Sequence, residues 1–170
     1  MNEEAFARAT LPHLDAAYSL ARWLVRDPVL AEDVVQDAYV RALTYFSGFR
    51  GENPRAWLLQ IVRTTAYGRM GRRPAEEPLD PEGRHGGLAD PGADPEAALS
   101  QREGEAGLAS ALAALPAELR ECLVLREFED LPYRDIARIT GVPVGTVMSR
   151  LFRARQTLAR IGAAWKERTG

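Results

Sequence analysis

The chain has 170 residues, a formal net charge of −2 and one cysteine, a length that fits one ordinary domain or two small ones. No stretch approaches the roughly 18 apolar residues that span a bilayer, and residues 1–10 lack the basic-then-apolar pattern of a secretory signal. Because Cys122 stands alone, an intramolecular disulfide and a multi-cysteine metal site are excluded. These features predict a cytoplasmic protein that needs no cofactor.

The charges are unevenly distributed along the chain. Residues 74–100 carry one basic and seven acidic residues, whereas the last 30 residues carry six basic and one acidic residue. Of the 22 basic residues, 21 are arginine, whose planar guanidinium suits phosphate and guanine. A GC-rich genome explains the arginine bias equally well. Because the last 30 residues are basic, the negative net charge of the chain does not exclude a nucleic-acid partner.

Residues 74–100 have the composition of a flexible linker. They contain five prolines and four glycines and almost no large apolar residues. Such a segment cannot bury enough surface to offset its ordering entropy. The sequence therefore predicts two domains, residues 1–73 and residues 101–170.

The first domain is predicted to be all-helical. Apolar residues recur at helical spacing before Asp27, again after Pro28, and again from Pro54. Pro28 and the acidic residues after it are typical of a helix start, and glycines at 48 and 51 interrupt the pattern. The apolar positions are Ala17, Leu20, Ala21 and Leu24, then Val34, Val35, Ala38, Ala42 and Phe46, then Trp57, Leu58, Ile61 and Val62.

The second domain is also predicted to be helical, and it contains the most informative pattern. A short helix beginning at Tyr133, a turn around Gly141 and a long amphipathic helix reaching Arg160 are typical of a helix-turn-helix. Such a second helix fits the major groove of DNA. The alternative is a solvated basic helix in an ordinary bundle. The side chains predicted on or near its outward face are Thr146, Ser149, Arg150, Arg153 and Arg160.

Two further segments have functional interpretations. Aromatic residues and arginines alternate between Phe46 and Trp57 beside a loop interrupted by glycines, a pattern that suits the binding of unstacked bases. The alternative is that the aromatic residues belong to the core, which is favoured for Trp57.

Residues 32–37 place acidic and amide groups opposite an apolar helix face. They form either a protein-docking surface or a helix start that complements the helix dipole.

These segments resemble one known family. Residues 33–37, Phe49-Arg50 and residues 56–58 are similar to the polymerase-binding and −10-recognition segments of the extracytoplasmic-function (ECF) sigma factors of bacterial RNA polymerase. Residues 115–116, 131–137 and 142–155 are similar to the −35-binding domain of the same family. The resemblance implies an all-α, two-domain transcription initiation factor. Its partners would be core RNA polymerase, promoter DNA and an anti-sigma factor.

The resemblance also implies roles for individual residues. Residues facing core polymerase would be Asp33, Gln36 and Asp37. Residues at the −10 element would be Phe49, Arg50, Asn53, Arg63, Thr64, Arg69, Arg72 and Arg73. Residues at the −35 element would be Thr146, Met148, Ser149, Arg150, Phe152, Arg153 and Arg155.

This chain departs from the family pattern at two of those positions. The family commonly has Asn where this chain has Thr64, and Lys or Arg where it has Met148. Both substitutions alter the hydrogen-bond donors available to DNA.

Three alternatives to a sigma factor remain. The first is a sigma mimic that binds an anti-sigma factor without using DNA, and the second is a free-standing helix-turn-helix regulator. The third is an enzyme, which the isolated His13 and His85 and the absence of a nucleophile–base pair disfavour.

Overall fold

The computed structural model describes the backbone of residues 3–71 and 103–169 and the side chains of residues 3–71 and 107–162. The predicted linker, Arg72 and Arg73 lie outside these residues. Every regular element described is a helix. The α-helices are α1 (Glu3–Thr10), α2 (Leu14–Val25), α3 (Pro28–Tyr45), α4 (Pro54–Met70), α5 (Glu103–Ala113), α6 (Ala117–Glu127), α7 (Tyr133–Thr140) and α8 (Val144–Thr169), with 3₁₀ turns at Leu11–His13 and Phe46–Gly48.

Local chemistry fixes where the helices of the first half begin. Asp27 precedes α3, and its carboxylate accepts hydrogen bonds from the backbone N–H groups of Val29 and Leu30, at 2.9 and 3.4 Å. Asn53 plays the same part for α4, accepting from the N–H of Ala56 at 3.1 Å. A proline follows each cap, where its missing N–H costs nothing. The predicted starts at Pro28 and Pro54 are confirmed.

Helices α2, α3 and α4 pack against one another and bury the predicted apolar positions. Trp57, Ile61 and Phe46 are only partly buried. Helix α1 was not predicted, because Phe6 is its only large apolar residue and a single residue gives no apolar period. It adds Phe6, whose ring lies edge-on to Tyr39 and Phe46.

The second half contains the predicted helix-turn-helix. Helix α7 ends at Gly141, whose φ of 74° is a left-handed conformation that other residues adopt at a cost. The N–H groups of Gly141 and Val142 both donate to the carbonyl of Ala137, which tightens the turn before α8. Helices α6, α7 and α8 then pack together around Ile136, Val147 and Leu151.

The two halves contact each other directly. Helix α4 packs against α7, and α2 packs against α6. Their buried apolar residues form one continuous cluster that runs from Ala16 to Ala154. The all-α, two-domain interpretation is confirmed, whereas direct packing of the two halves was not predicted.

Candidate nucleic-acid interface

The second helix of the helix-turn-helix, α8, presents an exposed face that combines apolar and polar groups. Met148 is 54% exposed and Phe152 is 65% exposed, and Ser149 and Arg155 are exposed beside them. Thr146 and Arg153 border this face and are partly exposed. Six of the seven predicted −35 residues therefore lie on one accessible side of α8.

The seventh residue, Arg150, does not point outward as the sequence analysis had placed it. Its side chain is only 9% exposed, and two of its guanidinium nitrogens, Nε and Nη1, are buried without a hydrogen-bond partner among the described residues. Helical geometry explains the difference, since Arg150 falls between Val147 and Ala154 on the inner face of α8. A helical wheel centred on those apolar residues would have shown it.

Arg63, a predicted −10 residue, is buried against the second half of the chain. Its Nε and Nη2 donate to the two carboxylate oxygens of Glu121 at 2.7 and 2.8 Å, and its guanidinium lies 4.9 Å from the ring centre of Tyr67. Burial by itself lowers the pKa of Arg63, but the hydrogen bonds and charge of Glu121 outweigh it, so the pKa lies above its ordinary value. Arg63 is 6% exposed.

The other described −10 residues on α4 and its preceding loop remain more accessible. Thr64, Arg69 and Arg50 are exposed. Asn53 is partly exposed, but its side-chain oxygen is engaged in the cap of α4. These side chains thus differ from Arg63, which is turned toward Glu121 in the second half.

Phe49 belongs to an aromatic cluster on the loop before α4. Its ring centre lies 4.7 Å from that of Trp57 and 5.9 Å from that of Phe46. All three residues are partly buried, so each is packed on one side and accessible on the other. An open aromatic platform of this kind can stack on a base.

The predicted polymerase-facing residues lie on α3. Asp33 and Gln36 are exposed. Asp37 is partly buried, and its carboxylate lies 3.6 Å from both Arg41 on the same helix and Arg69 on α4. Asp37 therefore links the predicted polymerase face to the predicted −10 face.

Cys122 is buried in the second half of the chain. Burial raises the pKa of Cys122 to about 12, so its thiol stays protonated and unreactive at neutral pH. Within residues 3–71 and 103–169, no cluster of His, Cys, Asp and Glu could hold a metal ion, and no helix is long and apolar enough to cross a membrane.

Comparison with known proteins explains this arrangement. Residues 11–73 match the family model for sigma-70 region 2, and residues 106–158 match that for sigma-70 region 4. These two matches define the class as sigma-70-type transcription initiation factors. RNA polymerase sigma-H factor of Pseudomonas aeruginosa is 38% identical, covering 92% of this chain and 86% of that protein. The ECF RNA polymerase sigma-E factor of Haemophilus influenzae is 37% identical, covering 82% and 77%.

Solved structures agree with these relatives. The sigma factor RpoE in complex with the anti-sigma factor NepR from Bartonella quintana superposes with a TM-score of 0.71, at 28% identity over 93% of this chain and 96% of that one. CnrH in complex with the cytosolic domain of CnrY gives 0.68, at 26% identity over 96% and 90%. The chain belongs to the ECF sigma factors.

Proposed function

We propose that the two domains of this sigma factor divide promoter recognition between them. Residues 1–73 bind core RNA polymerase through α3 and take up the −10 element at α4 and its preceding loop. Residues 101–170 bind the −35 duplex through α8. The observation that carries this assignment is the helix-turn-helix whose second helix exposes six of the seven residues implied at the −35 element.

The exposed face of α8 has the chemistry that duplex DNA requires. Arg155 pairs with Glu127 at 2.9 Å, but both side chains are about half exposed, so water screens the pair and phosphate can replace the carboxylate. Ser149 can exchange its hydrogen bond to the Thr146 carbonyl, 3.1 Å long, for one to a base or phosphate. Met148 and Phe152 add apolar surface that suits thymine methyl groups.

The −10 assignment depends on the loop between the 3₁₀ turn and α4. An unstacked base can stack on the aromatic cluster of Phe46, Phe49 and Trp57, while Arg50 neutralises phosphate. Arg69, exposed on α4, would extend the phosphate contacts along the strand. Strand separation follows when the bound conformation of the −10 element is single-stranded.

Partners and setting follow from the same proposal. Core polymerase supplies the catalysis, so the sigma factor itself is not an enzyme, and it acts where polymerase and DNA are, in the cytoplasm. An anti-sigma factor is the regulatory partner. One solved structure that resembles this chain across both halves is a complex with an anti-sigma factor, which supports the same kind of partner here.

Separate variants test the three assignments with reconstituted polymerase. Asp33→Ala with Gln36→Ala should weaken assembly with core polymerase. Arg153→Ala should leave assembly intact and weaken −35 duplex binding, and Phe49→Ala should reduce strand opening, read by permanganate reactivity of thymines. Asp15→Asn, an exposed charge change on α2, is the control. Normal promoter binding and opening in both single variants would contradict the DNA assignments.

A further inference from the structure

Besides the shared apolar cluster, the described contacts between the two halves include three that involve aromatic or charged side chains. The rings of Trp23 and Phe128 lie 5.9 Å apart, and Arg55 donates to the carbonyl of Glu129 at 3.4 Å. The third is the ion pair of Arg63 and Glu121, which closes with two hydrogen bonds. Of these three contacts, the last joins opposite charges, and its side chains are deeply buried, at 8% and 0% exposed.

The closed arrangement and promoter binding make incompatible demands on Arg63. Two of its nitrogens already donate to Glu121, and the carboxylate screens its charge from any approaching phosphate. Arg150 on α8 is buried as well, at 9% exposed. One arginine implied at each promoter element is therefore withdrawn from solvent in the closed chain.

The distance between the two promoter elements is also incompatible with the direct packing of the two halves. Helix α4 packs directly on α7, the first helix of the helix-turn-helix, and packed helices lie about 8–10 Å apart. Two promoter elements separated by two turns of DNA are about 70 Å apart. The halves must separate before one chain can occupy both elements.

We propose that the Arg63–Glu121 pair is a latch that keeps the free sigma factor closed, with Glu121 occupying the guanidinium that later meets DNA. This inference rests on the proposed function, since it assigns Arg63 to the −10 strand. The second domain then competes with the DNA backbone for one surface of α4. Separation of the two halves exposes Arg63 and moves α4 away from α8 in a single step.

The chemistry of the pair suits a reversible latch. Charge-assisted, two-pronged hydrogen bonds give the closed state one defined geometry. Separation returns both charged groups to water together, which offsets most of the lost attraction, whereas removal of one partner leaves the other buried and uncompensated. The Tyr67 hydroxyl, buried beside the pair, has no hydrogen-bond partner among the described residues, so closure leaves a polar group unsatisfied.

The test uses the full chain without polymerase and two readouts. Small-angle X-ray scattering gives the radius of gyration, and fluorescence anisotropy gives affinity for a single-stranded thymidine oligonucleotide. Glu121→Gln should raise the radius of gyration and tighten DNA binding; if the wild type is open one-tenth of the time, the gain is about tenfold. Arg63→Gln should raise the radius without tightening DNA binding. The reversed pair, Arg63→Glu with Glu121→Arg, should restore compactness.

Asp15→Asn is the matched control, because it neutralises an exposed carboxylate on α2 and leaves the Arg63–Glu121 pair unchanged. It should change neither readout. If circular dichroism shows that Glu121→Gln is unfolded, Arg63→Gln provides the compactness test from the first domain. A folded Glu121→Gln or Arg63→Gln as compact as the wild type would overturn the latch. Failure of the proposed function is distinct: the wild type would then support no promoter-dependent transcription.

Discussion

The burial of individual side chains determines which of the predicted DNA-binding residues of this sigma factor are accessible. Arg63 and Arg150 are both implied at DNA by the family pattern, yet both are buried. Glu121 accounts for the burial of Arg63 and lies 58 positions away along the chain. No local signal in the sequence pairs two residues at that separation. The inward position of Arg150, by contrast, follows from the helical period of its neighbours.

Met148 offers a direct test of the −35 surface. It is more than half exposed on α8 and brings no charge to DNA. Met148→Arg should therefore tighten −35 duplex binding and steepen the dependence of log affinity on log salt by about one. The measurement is a salt titration of binding by the polymerase complex. Thr44→Arg, which adds the same charge at an exposed site on α3, should leave the slope unchanged; equal slopes for wild type and Met148→Arg would place Met148 away from DNA.

Cys122 makes the folded chain sensitive to alkaline pH. Burial raises the pKa of its thiol from 9.0 to about 12, so the folded state keeps a proton that the unfolded state releases near pH 9. Its stabilising contribution is complete below pH 9 and is lost as pH rises toward 12. The urea midpoint should therefore fall more steeply between pH 8.5 and 10.5, roughly the start of this window, in wild type than in Cys122→Ala. Parallel curves for the two proteins would show that the thiol does not titrate as proposed.

At the scale of helices, the sequence was a good guide wherever an apolar period ran for three turns or more. The starts of α3 and α4 at proline and the turn at Gly141 were readable because each depends on a few adjacent residues. Helix α1 was missed, since its one large apolar residue, Phe6, gives no periodic pattern. The partial burial of Trp57 also required the structure, because its neighbours Phe46 and Phe49 come from a loop.

The cap of α3 gives a prediction for this scale. Asp27→Ala removes the acceptor for the N–H of Val29 and should lower the free energy of unfolding by about 1 kcal/mol. Asp27→Asn keeps a side-chain oxygen and should lose much less. Urea denaturation followed by circular dichroism compares the three proteins. Equal losses in Asp27→Ala and Asp27→Asn would show that charge, rather than capping, is what Asp27 contributes.

At the scale of the whole molecule, packing between the halves was the feature that the sequence could not predict. A composition that disfavours structure in residues 74–100 says nothing about whether the helices on either side meet. Contact between them depends on complementary surfaces on α2, α4, α6 and α7, and these are assembled only in the folded chain. The closed arrangement is also where the proposed latch operates, so regulation and fold are linked at this level.

Sigma activity of this chain can be measured by run-off transcription with purified core polymerase over a library of promoter sequences, with the products read by sequencing. We predict initiation only when this chain is present, from templates that share two elements separated by about two turns of DNA. Core polymerase that binds the chain and yet yields no promoter-dependent product would contradict the central claim. That result would favour a sigma mimic that occupies an anti-sigma factor without using DNA.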